Sequence, residues 1–195
     1  MELKKTLLMF LLMLSGQCYR DGAPRTACKT MEPRHDVDPQ ESLPPYTITV
    51  DFTGKDFIVK LSANNAGAAY RGFLLRTIRI QDLQESYLPG TFTEHRDSPN
   101  KVLQVICDGH RKNAVTHTTN EAKNRTIVHW VPDRRPRKPI QVVFRATVVH
   151  SKQIFWLRVD SKPVLITSSA ATLLPVTIWT LSFCYSIPLL TTNKH

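Results

Sequence analysis

Between Gln141 and Asp160 the chain alternates apolar and polar residues at a period of two, a spacing that fits a strand and not a helix. Val142, Phe144, Ala146 and Val148 fall on one face, with Gln141, Arg145 and Thr147 on the other. After the short polar break Ser151-Lys152-Gln153, Phe155, Leu157 and Val159 repeat the pattern. Two such runs joined by so few polar residues predict an antiparallel hairpin with its apolar side inward. A lone hairpin is marginal in water, so further strands must cover it.

The rest of the chain supplies them. Tyr46–Phe52 alternates strictly, and Phe57–Leu61 follows a break carrying Gly54. Asn64-Asn65-Ala66-Gly67 reads as a turn, because Asn and Gly tolerate positive φ. Tyr70–Arg79 reads as a strand with Arg76 at its outer edge, and Gly72 at its start marks a bulge or a close backbone approach. Val102–Cys107, Ala114–His117 and Thr126–Trp130 add three short strands. No segment carries a convincing helical period, so the expectation is an all-β sandwich. Its inward phase puts Trp130, Phe144 and Leu157 in one core. Residues 19–45 hold five prolines and read as an extended lead-in tied down at Cys28.

Both ends have a different character. Residues 1–18 combine Lys4-Lys5, an apolar run from Leu7 to Leu14 and small or polar residues, the pattern of a secretory signal peptide cut after Cys18. Residues 167–195 form a hydrophobic tail, in which 170–190 are 21 residues without a charge, long enough for one transmembrane helix in a single-pass type I protein. A lipid-anchor signal is the alternative, since Ser168, Ser169 and Ala170 are suitably small. The polar spacer of such a signal is missing.

With Cys18 removed and Cys184 set aside in the tail, Cys28 and Cys107 remain alone in the expected lumenal domain. In an oxidising compartment they are expected to pair, and a buried pair of free thiols is the alternative. The formal charge of +10 favours anionic partners outside the cell, such as an anionic glycan or an envelope component, or else serves solubility.

Sites of chemistry are sparse. The seven histidines are scattered without ligand spacing, so no metal or cofactor is expected; His117 and His129 merit inspection. No nucleophile elbow or activated cysteine is present, and no catalytic residue is assigned. Arg134, Arg135, Arg137 and Lys138 place four cations within six residues, with Pro136 and Pro139 holding the segment extended. That run is a candidate anion-docking loop, because guanidinium forks match sulfate and phosphate. Its plain alternative is a solvated connection. Nucleic acid is not an expected partner, given the signal peptide and the lack of interleaved aromatics. Asn124-Arg125-Thr126 is a glycosylation sequon.

Cys28 followed by Met31-Glu32-Pro33-Arg34-His35, then Pro44-Pro45-Tyr46-Thr47-Ile48, Tyr70-Arg71-Gly72-Phe73-Leu74-Leu75, Gly90-Thr91-Phe92, Cys107, Ala114–Thr118, Trp130 with Pro132, and Val143–Val149 closing on Phe155-Trp156 form an ordered series. Together they resemble the reelin (reeler) domain family from about Tyr19 to Leu165. The resemblance implies an immunoglobulin-like sandwich over 19–166 bridged by Cys28 and Cys107. Trp130 departs from a true immunoglobulin domain, since it follows both cysteines. Such domains occur in matrix proteins, in secreted insect defence proteins, and ahead of the haem-binding part of ferric-chelate reductase-like membrane proteins. The implied function is a non-catalytic extracellular recognition module held at the cell membrane, with a cell-surface protein or anionic glycan as partner. The alternatives are a secreted innate-defence protein that binds microbial envelopes, or a short form of a reductase-like protein without its haem domain.

Overall fold

The alternation read from the sequence folds as two antiparallel sheets. A computed structural model describes residues 21–81, 84–167 and 171–173. Its strands are β1 (Tyr46–Phe52), β2 (Phe57–Ala63), β3 (Gly72–Gln81), β4 (Gln84–Tyr87), β5 (Gly90–Glu94) and β6 (Val102–Cys107). They continue as β7 (His110–His117), β8 (Arg125–Pro132), β9 (Ile140–Ser151), β10 (Ile154–Asp160), β11 (Val164–Ile166) and β12 (Ala171–Leu173). The smaller sheet has the order β1-β2-β8-β5, and the larger runs β12-β11-β9-β3-β7-β6, with β10 on β9 and β4 on β3. The molecule is an all-β, immunoglobulin-like sandwich.

Strand β9 is the spine of the larger sheet. Val142, Phe144, Ala146 and Val148 all point into the interior and are fully buried. Trp130 from β8 meets Phe144 edge-on at 5.3 Å between ring centroids and lies 5.5 Å from Phe57. Phe92 of β5 closes this aromatic group against Phe144. Offset and edge contacts of this kind satisfy the ring quadrupoles beyond simple area burial. Space is so fully used that a Cβ on Gly90 would come within 2.4 Å of the Trp130 ring. At the other end of the sandwich, Tyr46 joins the sheets by edge contacts with Trp156 and Tyr70.

The hairpin β9–β10 forms where expected, but its second strand changes phase. Arg158 takes a positive φ of 55°, and the register with β9 slips between Trp156 and Val159. This bulge sends both Trp156 and Val159 inward. Leu157 is thereby turned out of the main core, which corrects the expectation that it joins Trp130 and Phe144. A strict period of two holds only while each residue has a partner, and a bulge inserts one without.

The face of the larger sheet that carries the polar residues Arg76, Arg145 and Thr147 is itself buried at those positions. At the C-terminal side, β12 pairs with β11 through Val164↔Leu173 and Ile166↔Ala171. Ala171–Leu173 thus make their backbone bonds to a neighbouring strand. The remainder of the expected transmembrane span 170–190, Cys184 and the expected signal peptide 1–18 lie outside the described residues. Among the described residues no helix is long and apolar enough to cross a membrane.

Candidate functional site

The outer face of the larger sheet presents Leu74 and Ala114 as well as the two arginines, and apolar area on this scale needs cover. The lead-in provides it. A strap formed by residues 22–38 lies across β3, β7 and β9, and its Ala27, Cys28 and Met31 pack with Leu74, Val105, Cys107 and Ala114 as a second apolar cluster. The disulfide Cys28–Cys107, with Cα atoms 5.5 Å apart, anchors it. Ala23 N–H donates to Thr116 Oγ1 (3.0 Å), Tyr87 Oη–H to Lys29 O (2.8 Å), and Thr147 Oγ1–H to Met31 O.

Arg76 is the centre of this clamp. Only 1% exposed, it donates to Cys28 O (2.6 Å) and to Asp108 Oδ2 (2.7 Å) while its guanidinium carbon lies 3.3 Å above the Tyr87 ring. A buried guanidinium is tolerable only with such partners. Its sheet neighbour Arg145 is held by a two-pronged bond to Asp160, with both contacts at 2.7 Å. The charge of each arginine is thus committed to holding structure.

Met31, in a left-handed conformation with φ 59°, is where the strap turns, and it separates two clefts. The first, about 400 Å³, has the strap on one side and Gly72, Phe73, His117 and Val149 on the other. The second, about 350 Å³, is bounded by Lys29, Tyr87, Arg145, Leu157 and Arg158. Gly72 is required at the first cleft because a Cβ there would lie 2.9 Å from His117 Cε1. The close backbone approach expected at Gly72 is therefore made to an imidazole. His117 Nδ1 accepts the Phe73 N–H at 3.1 Å, so this histidine fixes the end of the β3–β7 ladder.

His35 closes the strap against the β9–β10 hairpin, edge-on to Phe155 at 5.7 Å. Burial, and secondarily the Lys152 charge, hold its pKa below the ordinary imidazole value, with Asp36 acting weakly the other way. A base whose folded pKa is depressed binds fewer protons when folded, so stability falls as pH drops below its unfolded value of about 6.5. Between pH 7 and pH 5 the strap is expected to lose amide-exchange protection, and His35→Phe is expected to remove that slope. An identical slope in the variant would assign it to another group.

The cationic run sits at the opposite end of β9. Arg134, Arg135, Arg137 and Lys138 are all exposed in the β8–β9 connection, and Arg135 Nη2 donates to Lys55 O at 3.2 Å. That bond brings Lys55, from the β1–β2 turn, beside the run. From Ile140 to Val149 is nine strand steps, roughly 30 Å at strand rise, so the basic end and the first cleft are separate surfaces. His117 and His129 also lie apart, on different sheets. His129 Nδ1 is 2.9 Å from Asp56 Oδ2 and its ring stacks on His95 at 4.4 Å. Among the described residues no three His, Cys, Asp or Glu side chains gather as a metal site.

Asn124 is exposed at the start of β8, and the preceding Lys123 is buried. Lys123 Nζ donates to Thr119 O (2.6 Å), Glu121 O (2.7 Å) and Arg71 O (3.4 Å). Burial depresses its pKa, and three carbonyls accept its hydrogen bonds. The loop carrying the sequon is therefore fixed from inside.

Residues 26–172 match the Reeler domain family model. The chain belongs to the Reeler domain family. The match ends at 172, within β12. A Bombyx mori protein named "Putative defense protein" is 35% identical over 154 residues, covering 75% of this chain and 85% of that one. Mouse "Ferric-chelate reductase 1" is 31% identical over 159 residues, which is 82% of this chain and 26% of the reductase. The reeler domain of this chain also aligns with the crystal structure of the reelin-N domain of F-spondin at 21% identity and TM-score 0.45, over 71% of this chain and 91% of that one.

Proposed function

We propose that this reeler protein is a non-catalytic extracellular recognition module that docks anionic glycans or envelope components through its basic end. The observation that carries the reading is the exposure of Arg134, Arg135, Arg137 and Lys138 together, with Lys55 held beside them by Arg135. The arginines inside the fold are tied to Asp108 and Asp160, whereas these four project from a connection free to meet a partner. The likeness to insect defence proteins supports the extracellular part of the reading. In this proposal residues 1–18 are removed as a signal peptide, Asn124 carries a glycan, and the tail from 174 onward either anchors the protein or is cleaved to release it.

Heparin retention is the test. Binding is expected to fall steeply with salt, since screening shortens to about 3 Å at 1 M. Replacing Arg134, Arg135, Arg137 and Lys138 by Ser together is expected to remove most of it with the melting temperature unchanged, because exposed charges contribute little to folding. A fourfold variant that binds heparin like the parent at low salt would retire the docking loop. The match to the ferric-chelate reductase favours a second reading, a short form of a reductase-like membrane protein. A short form without its haem domain shows no haem Soret band, and a Soret band in the purified full chain would point instead to a redox-associated protein in the reductase style.

A further inference from the structure

We infer that the cleft beside the strap is a second binding site, for a free molecule with a slender apolar body and one anionic head. The wall on the strap side is built from Ala23, Pro24 and Met31, and the opposite wall from Phe73, Leu74 and Val149. None of these carries charge. The main chain along that wall is already engaged, since Arg71 N–H donates to Val149 O (2.8 Å) and Phe73 N–H to His117 Nδ1 (3.1 Å). An occupant therefore gains by apolar contact inside the cleft and not by pairing with a strand.

The mouth has the opposite character. Among the residues lining the cleft, the permanently charged ones are Arg34, Arg71 and Lys152 against Glu32 alone, an excess of two positive charges (three minus one). Arg71 is oriented by a bond from Nη1 to Asn120 O at 3.3 Å. A volume of about 400 Å³ falls within the roughly 300–1,000 Å³ of small-molecule sites, in which apolar walls and a few placed polar groups are the rule. Apolar depth under a cationic mouth selects an amphiphile by both halves. Its occupant is a single molecule and not a membrane surface, because the strap closes one side of the site and is fixed there by the disulfide.

Dodecanoate, kept below its micelle concentration, is the probe, and dodecyltrimethylammonium is the comparator with the same chain and the opposite charge. Calorimetry on the full chain is expected to give one saturable dodecanoate site and binding of the cation weaker by about tenfold or more, a factor equivalent to one opposed charge contact. Arg71→Glu with Lys152→Glu is expected to weaken dodecanoate by about tenfold and to narrow the gap between the two probes. Val149→Trp is expected to abolish both by filling the cleft. Phosphatidylserine vesicles are not expected to compete. Equal affinity for the two head groups, no saturable site in folded protein, or binding that survives Val149→Trp would each overturn the inference. So would competition by the vesicles. Should Val149→Trp fail to fold, the doubly charge-reversed variant decides, since both its positions lie at the mouth. Failure here leaves the heparin-docking loop untouched, because that loop lies at the other end of β9.

Discussion

Trp130→Ala is expected to destabilise the domain by about 3–5 kcal/mol, the usual cost of truncating a fully buried aromatic. The ring touches Phe57, Phe92 and Phe144 from both sheets, so its removal leaves a cavity that neither sheet can close alone. A loss of this size is a large fraction of the stability of a single domain. Urea denaturation is the measurement, with the midpoint falling and the slope retained. The geometry also predicts a coupling. Gly90→Ala drives a methyl into the Trp130 ring, at 2.4 Å from Cε2 and Nε1, and overpacking typically costs about 1–3 kcal/mol. In a Trp130→Phe background, where the indole nitrogen side is gone, the same methyl is expected to cost markedly less. Additive effects in that double-mutant cycle would mean that the two residues do not share the space.

The second large effect is expected from Cys28→Ala with Cys107→Ala. The bond closes a loop of 79 sequence steps, for which the chain-entropy model gives on the order of 4 kcal/mol. Here the bond also holds the strap that satisfies Arg76, through Cys28 O. The variant is therefore expected to lose amide-exchange protection first over residues 22–38 and only later in β8 and β9. Uniform loss across both sheets would show that the strap is not a separable layer, and an unchanged melting temperature would remove the disulfide from the account of stability.

The sequence made the interior legible and the outer face opaque. Alternation in β1, β2 and β9 identified the inward residues, because each strand there keeps a full ladder with its neighbour. Leu157 was misplaced because the bulge at Arg158 depends on how β10 meets β9, which no single strand records. Arg76 was read only as lying at the outer edge of its strand, because a charged side chain is seldom buried and its partners Cys28 O, Asp108 and Tyr87 come from three distant segments. The strands β4, β11 and β12 are too short to carry a period. The basic run was plain, being contiguous. The cleft was invisible, since its walls come from the strap, the start of β3, the end of β7 and the end of β9. Only Gly72 hinted at it, as a glycine whose close neighbour is tertiary.

The strap is among the first segments of the domain to leave the ribosome, yet the surface it covers is completed by β9, more than a hundred residues later. Long-range pairing of this kind is slow, because chain closure must precede the contacts that reward it. Throughout synthesis Cys28 therefore has no native partner until Cys107 has emerged, and Met31 has no Thr147 to hold its carbonyl until the spine strand is made. The outer layer is a seal whose two halves are made more than a hundred residues apart in synthesis. A folding intermediate with both sheets formed and the strap undocked would expose Leu74, Ala114 and the Arg76 guanidinium together, a surface that oxidative folding factors could distinguish from the finished protein.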